Sequence, residues 1–296
     1  MENVEALLQG ITAGDFRILA RGLTLVENDL RYSAELLRAI DPDHKIPVIG
    51  VTGPPGAGKS TLVNAITNLA VAEGKRVAIL AVDPTSPFNF GSLLGDRIRM
   101  AQQFNKPGVF IRSVATRGAL GGISVKTIEM VDLLRAAGFD LILVETVGVG
   151  QSELEIAGLA DKTAVVLVPE SGDEIQSIKS GLMEIAQAFI VNKADRDGAA
   201  QFANNLKKLV FQQHQQVPVF KTVADKYEGM DAVYNWMLKG MDADGKRRVY
   251  LLADKAFRLI QHKLTAHLDK RRLHHEISEA AESADFNIYR FIDNWK

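Results

Sequence analysis

Gly53-Pro54-Pro55-Gly56-Ala57-Gly58-Lys59-Ser60 is the stretch on which the fold turns. It satisfies G-x-x-x-x-G-K-[ST] at every fixed position, and its setting agrees. The apolar run 47–51 precedes it, and a helical pattern beginning near Lys59 (Thr61-Leu62-Val63-Asn64-Ala65-Ile66) follows. Glycines at these spacings let backbone N–H groups turn inward on phosphates, and the helix N-terminus adds partial positive charge. Lys59 is placed to reach β- and γ-phosphates, and the Ser60 hydroxyl to ligate Mg²⁺. Gly53, Pro54, Pro55, Gly56, Ala57, Gly58, Lys59, Ser60 and Thr61 are therefore the first candidate nucleotide contacts.

Outward from this loop, short continuous apolar runs alternate with helical patterns. The runs are IPVIGVTG (46–53), RVAILAVD (76–83), VFIRSVAT (109–116), DLILVETVG (140–148), TAVVLVPE (163–170), AFIVNKAD (188–195) and VPVFKTVA (217–224). Runs of this kind, bounded by Gly, Pro and Asp, suit strands buried on both faces by crossover helices. The expected fold class is α/β, a doubly wound, mainly parallel sheet over residues 46–240, with its ligand beyond the carboxyl ends of the strands. Residues 1–45 read as a helical extension, with apolar positions Val4, Leu7, Leu8, Ile11, then Phe16, Leu19, Leu23, Val26, then Leu36, Leu37, Ile40, stopped by Asp41-Pro42. Residues 241–296 read as a second extension. Val249, Leu252, Ala256, Ile260, Leu264 and Leu268 make one stripe, and Lys270-Arg271-Arg272 is expected to break it before a last helix ending in Tyr289, Phe291, Ile292 and Trp295. The terminal helices suit either domain packing or a dimer arm.

Four further strand ends carry chemistry. Asn192-Lys193-Ala194-Asp195 is an N-K-x-D pattern. Its aspartate can accept from both N1–H and the exocyclic amine of guanine, a donor pair that adenine lacks, and a buried acceptor of this kind rejects the wrong base strongly. Asn192 would support the loop, and the stem of Lys193 would lie over the ring. Thr222-Val223-Ala224, after the next strand, is a further candidate base-contacting loop. Glu145-Thr146-Val147-Gly148 stands where D-x-x-G is usual, with Glu145 near Mg²⁺ directly or through water and the Gly148 amide able to sense a γ-phosphate. Asp83 and Asp96 suit either Mg²⁺ groups or helix caps from spacing alone. The stretch Arg112–Gly122 suits either a phosphate-flanking segment or a flexible loop. His44, His274 and His275 have no metal-cage spacing.

Bulk composition sets outer limits. The chain has 296 residues, 47% hydrophobic and 24% charged, with 35 basic and 36 acidic side chains. A net charge of −1 gives no electrostatic reason to expect nucleic acid or an anionic membrane as main partner. No cysteine is present, which removes disulfide and thiol chemistry and fits a reducing compartment. Apolar stretches such as Leu141 to Val144 fall far short of the ~20 residues of a membrane span. The opening MENVEALLQG lacks a basic region leading into an apolar run, so a cytoplasmic location is expected.

Taken in order, GPPGAGKST, VDPTSP with GSLLGDRIRM, IRSVATRGALGGIS, ETVGVGQSE, SGDEIQSIKSG and VNKAD closely resemble the MeaB/ArgK family of P-loop GTPases, to which the methylmalonic aciduria type A protein is related. The resemblance covers residues 46–240. It implies a Mg²⁺-dependent GTPase, GTP/GDP as ligand, and a chaperone role toward an adenosylcobalamin-dependent acyl-CoA mutase, gating cofactor loading and protecting or reactivating that enzyme. It also implies that Asp83, Asp96 and Glu145 join Ser60 around Mg²⁺, and that the chain forms a homodimer through its C-terminal helices. Two departures are Phe90 before Gly91, and Pro169-Glu170 where the family often has Pro-Gly; neither touches a nucleotide-binding group. Gln151 is a candidate to position the attacking water. The competing reading is an ATP-dependent kinase or transport-associated ATPase, against which Asp195 argues; a third is a scaffold that binds GTP without hydrolysing it.

Overall fold

A computed structural model of the chain describes residues 3–42, 45–83, 103–104, 106–115, 124–146, 155–170, 181–212, 217–239, 245–265, 268–283 and 285–295. Three helices come first, α1 (Val4–Thr12), α2 (Phe16–Glu27) and α3 (Ser33–Ala39). The side chain of Asn3 caps α1 by accepting from the Ala6 amide, and that of Asp15 caps α2 by accepting from Arg17 and Ile18. There follow β1 (Val48–Thr52), α4 (Lys59–Ala72), β2 (Val77–Asp83), β3 (Val109–Ala115), α5 (Val125–Arg135), β4 (Leu141–Glu145), β5 (Lys162–Leu167), β6 (Ala188–Val191), α6 (Ala199–Gln212), β7 (Val219–Lys221) and α7 (Met230–Leu238). The last helices are α8 (Gly245–Thr265), α9 (Lys270–Ala280) and α10 (Ile288–Asn294).

Each of the seven apolar runs becomes a strand, and all pair in parallel in the order β3-β2-β4-β1-β5-β6-β7. Every residue of β1, β4 and β6 is buried. The strands lack polar alternation because both faces are covered. Alternate residues still divide between the faces. Val48, Ala78, Leu80, Val82, Ile142 and Val144 pack with Leu7, Ile11, Leu19, Leu23 and Leu36 of α1–α3 and with Met130, Val131 and Leu134 of α5. Ile49, Val51, Val77, Ile79, Leu141 and Leu143 pack with Leu62, Val63 and Ile66 of α4 and with Val233 and Met237 of α7. Helix α6 covers Val165, Leu167, Phe189 and Val191.

The first three helices thus share a core with the sheet. Arg76, just ahead of β2, ties them down: its guanidinium lies 5.4 Å from the Phe16 ring and 5.2 Å from the Phe139 ring, and donates to the Gly14 carbonyl at 3.0 Å. A second non-local tie is the Asp161 carboxylate. It accepts from the Val48 amide at 2.9 Å and from the buried Arg135 guanidinium at 2.8 and 2.7 Å, joining the end of α5 to the entrances of β1 and β5.

By its contacts the chain divides into two compact units, Met1–Leu251 and Leu252–Lys296. In the second, the expected basic break does not occur: Lys270-Arg271-Arg272 is the first turn of α9. The Asp269 carbonyl accepts from the Leu273 amide, and Arg272 pairs with Glu276 one turn on at 2.6 Å. The interruption lies earlier, so Leu268 falls beyond the end of α8, and a separate α10 is capped by the side chain of Asn287.

Breaking one partner of a buried, hydrogen-bonded ion pair leaves an uncompensated charge. Asp161→Ala is expected to destabilise the first unit by about 3 kcal/mol, and Arg135→Met combined with Asp161→Leu by clearly less. Urea denaturation followed by far-UV circular dichroism measures both, and equal losses would show that the charge balance is unimportant.

Candidate functional site

The carboxyl ends of β1, β4, β6 and β7 meet at one edge of the sheet, and the loop after β1 spans them. Gly53 has φ +136°, and a Cβ there would lie 2.0 Å from the Val166 carbonyl oxygen of β5. Gly58 has φ +88°, and a Cβ would lie 2.4 Å from Nδ2 of Asn192. Only glycine accommodates both the dihedrals and the close approach. Lys59 opens α4 and is buried. Its ammonium donates to the carbonyls of Gly53 at 2.8 Å and Pro54 at 2.9 Å, so its charge is held inside the curl of the loop.

On the β4 side, the Ser60 hydroxyl donates to Oε1 of Glu145 at 2.6 Å. Glu145 is the last residue of β4, in register with Val51 of β1, and is 6% exposed. Next to it the buried hydroxyls of Thr146 and Thr52 bond at 2.9 Å, and the Thr146 amide donates to the Val51 carbonyl. The Ser60 hydroxyl and the Glu145 carboxylate are both hard oxygen donors, the kind that Mg²⁺ takes. Among the described residues no group of three His, Asp or Glu side chains gathers as a metal cluster. Asp83 ends β2, its backbone beside Ala115 in the ladder; Asp96, Gly148 and Gln151 lie outside the described residues.

On the β6 side, Asn192 is 2% exposed and uses both ends of its amide. Nδ2 donates to the Ala57 carbonyl at 2.9 Å, while Oδ1 accepts from the Thr222 hydroxyl and the Ala224 amide, each at 3.2 Å. Lys193 has φ +54°, and its ammonium donates to the Gly56 carbonyl at 2.7 Å, which stretches its stem from one loop to the other. A cavity of about 190 Å³ lies here, lined by Gly58, Thr61, Asn192, Lys193, Asp195, Arg196, Ala224 and Asp225. At its rim Asp195 accepts from Lys226 at 2.8 Å. That hydrogen bond holds the Asp195 carboxyl below the usual aspartate range and raises the Lys226 ammonium above the usual lysine range.

The residues marked in the sequence separate into groups. Gly58, Thr61, Asn192, Lys193, Asp195 and Ala224 line the cavity, Lys59 and Ser60 stand beside it, and Thr222 braces Asn192 from behind. Val223 is buried and pairs with Glu228 across the loop. Arg112 lies on β3 and pairs with Glu27 of α2, and residues 116–122 of that stretch lie outside the described residues. Sequence reading missed Thr52, Arg196, Asp225 and Lys226. The last two directly follow the loop 222–224, so position was a usable signal; for Thr52 nothing but its place before Gly53 could have served.

The model of the family described as methylmalonyl Co-A mutase-associated GTPase MeaB matches residues 19–271. A Pyrococcus horikoshii protein named as a GTPase is 51% identical over 200 residues, 67% of this chain and 63% of its own length. The mitochondrial methylmalonic aciduria type A homolog of Mus musculus is 38% identical over 209 residues, 66% of this chain and 50% of its own length. This chain thus spans less than two thirds of either of these curated relatives. A crystal structure described as an LAO/AO transport system kinase superposes with a TM-score of 0.69 at 27% identity, covering 99% of this chain and 100% of that one. The chain belongs to the MeaB family, and its sheet is the doubly wound one of P-loop GTPases.

Gly58→Ala is expected to add about 1–3 kcal/mol of backbone strain and to push Asn192 off the Ala57 carbonyl. Nucleotide affinity should fall about tenfold or more while β-sheet content is retained, as measured by fluorescent-nucleotide titration and circular dichroism. Because the Asp195 carboxyl is depressed, its ionised form persists above its ordinary pKa and is lost only as pH falls through the lowered value. On the expectation that Asp195 receives a guanine base, binding should be flat through neutral and mildly acidic pH, and calorimetric titrations across that range check it.

Proposed function

We propose, from membership of that family, that the chain binds Mg·GTP, hydrolyses it to GDP and phosphate, and uses the cycle as a chaperone of an adenosylcobalamin-dependent acyl-CoA mutase of the methylmalonyl-CoA type. In that role it gates cofactor loading and protects or reactivates the mutase. The observation that carries the nucleotide reading is the double use of Asn192, which joins the phosphate loop at Ala57 to a cavity whose rim is Asp195. The description of the family model and the name of the mouse relative support the mutase as partner.

In this reading, Asp195 accepts from N1–H and the exocyclic amine of guanine, and the stem of Lys193 lies along the ring. Backbone amides of 53–60 and the start of α4 bind the phosphates. Lys59 exchanges the carbonyls of Gly53 and Pro54 for β- and γ-phosphate oxygens and stabilises the charge that develops as water attacks in line. Ser60 and Glu145 would hold Mg²⁺, with Asp83 and Asp96 as further carboxylates; when bound, the ion neutralises phosphate charge. Gln151 positions the water, and Gly148 senses the γ-phosphate. Slow intrinsic turnover rises when the mutase binds. The C-terminal helices serve as the arm of a homodimer, and the whole works in the cytoplasm. Among the described residues no helix is long and apolar enough to cross a membrane.

The solved structure described as a transport system kinase favours a second reading, ATP-dependent phosphoryl transfer. Phosphate release from GTP and from ATP, with and without a methylmalonyl-CoA mutase, separates the two. GTP-selective release that rises with mutase is the expected result. Preference for ATP would overturn the reading of Asp195, and a rate indifferent to every mutase tried would overturn the partner. Ser60→Ala should raise the Mg²⁺ concentration for half-maximal turnover about tenfold or more, and a curve unchanged from that of the unmodified chain would remove Ser60 from the metal.

A further inference from the structure

We infer that Lys226 is a positioning residue for base recognition, setting the plane of the Asp195 carboxylate so that both of its oxygens face the donor edge of guanine. The inference rests on the reading of Asp195 just given and extends the base site to a loop outside the N-K-x-D segment.

Among the described residues, Lys193 and Arg196 line the base cavity, Lys226 reaches its rim through Asp195, and each has its own acceptor. Lys193 donates to the Gly56 carbonyl, Arg196 pairs with Glu170, and Lys226 donates to Oδ2 of Asp195 at 2.8 Å. Exposed ion pairs usually contribute little because two flexible side chains must be held in one geometry. Here the backbone on both sides is already fixed. Lys226 ends the 3₁₀ turn Ala224–Lys226, and its amide donates to the Val223 carbonyl at 3.0 Å. Val223 and Glu228 exchange backbone hydrogen bonds at 3.0 and 3.2 Å, closing the loop around it. Tyr227 is left-handed at φ +61°, and its hydroxyl accepts from Asn68 of α4, the helix that starts at the phosphate loop. On the facing loop, the Ala194 amide donates to the Thr222 carbonyl at 3.0 Å. Ala194–Thr222, Asn192–Ala224 and Asp195–Lys226 all tie the two loops together, and the last is made by side chains alone.

The acceptor capacity of the carboxylate allows Lys226 and guanine together. An ionised aspartate offers about four lone-pair sites. Guanine takes one on each oxygen, Lys226 takes a second on Oδ2, and the remaining one is open to the Asp195 backbone amide. Lys226 thus need not leave when the base arrives. By holding one oxygen, it restricts rotation of the carboxylate. The charged groups facing the pair are Arg196, Asp225 and Glu228.

The test compares GDP with IDP, which lacks the exocyclic amine, by calorimetric titration of the full chain. A carboxylate held in plane rewards the second donor, so the GDP-to-IDP affinity ratio reads orientation directly and is insensitive to a general loosening of the site. Lys226→Met is expected to weaken GDP about three- to fivefold and to lower the ratio toward that of Asp195→Ala, with Lys226→Arg restoring most of it. A ratio in Lys226→Met equal to that of the unmodified chain, or tighter GDP binding in that variant, would overturn the role of Lys226. The reading of Asp195 would survive if Asp195→Ala alone collapses the ratio. Should Asp195→Ala leave the ratio unchanged, the base reading itself fails, and the two failures stay distinct.

Discussion

Everything around the cavity depends on one buried carboxamide. Asn192 offers a donor and an acceptor at opposite ends of a short rigid group, and both are used within a space that water does not reach. The donor end fixes the phosphate loop at Ala57, and the acceptor end fixes the loop after β7 through Thr222 and Ala224. An aspartate would lose the donor, and a leucine would strand a carbonyl, a hydroxyl and an amide at once. The arrangement is available only because a parallel sheet delivers the ends of β1, β6 and β7 to the same edge. It also explains two glycines in terms other than phosphate binding. Gly53 lets the loop cross the Val166 carbonyl of β5, and Gly58 leaves room for the amide of Asn192.

Electrostatically the site separates its charges with care. Lys59 and Lys193 are both engaged by carbonyls of the loop they serve, which draws two positive charges to the place where a polyanion belongs. The acidic groups are kept to the flanks: Glu145 beside Ser60 at the end of β4, and Asp195 beside Lys226 beyond β6. In the proposed reading a polyphosphate would lie between these cations while its base meets Asp195.

All seven strands were legible in the sequence because apolar runs of four to seven residues between turn formers have few other ways to be buried. The helices α1–α3 were legible from apolar positions that recur at helical spacing. Their docking was not, since an amphipathic stripe names no partner; it took Arg76 and the Phe16–Phe139 stack to bring them onto the sheet. Motifs located Lys59, Ser60, Asn192 and Asp195, whose neighbours in sequence share their task. Thr52, Arg112 and Lys226 act through side chains more than 30 residues away, or on backbone geometry such as the left-handed Tyr227, which no local pattern encodes. The misplaced break near Lys270 has a plain cause. A basic cluster reads as an interruption until an acidic residue one turn later, here Glu276, is counted with it.

The sharing of one core between α1–α3 and the sheet sets an order of events during synthesis. Leu7, Ile11, Leu19 and Leu23 are finished early, yet the surface that covers them includes Met130, Leu134, Ile142 and Val144, made about a hundred residues later. At ~5–20 residues per second, that interval lasts on the order of 5–20 s on the ribosome. For that time the apolar stripe of the first helices is covered only in part, by Val48 of β1 and by Ala78, Leu80 and Val82 of β2. The shared core is therefore closed only once β4 has emerged, long after the helices that it covers.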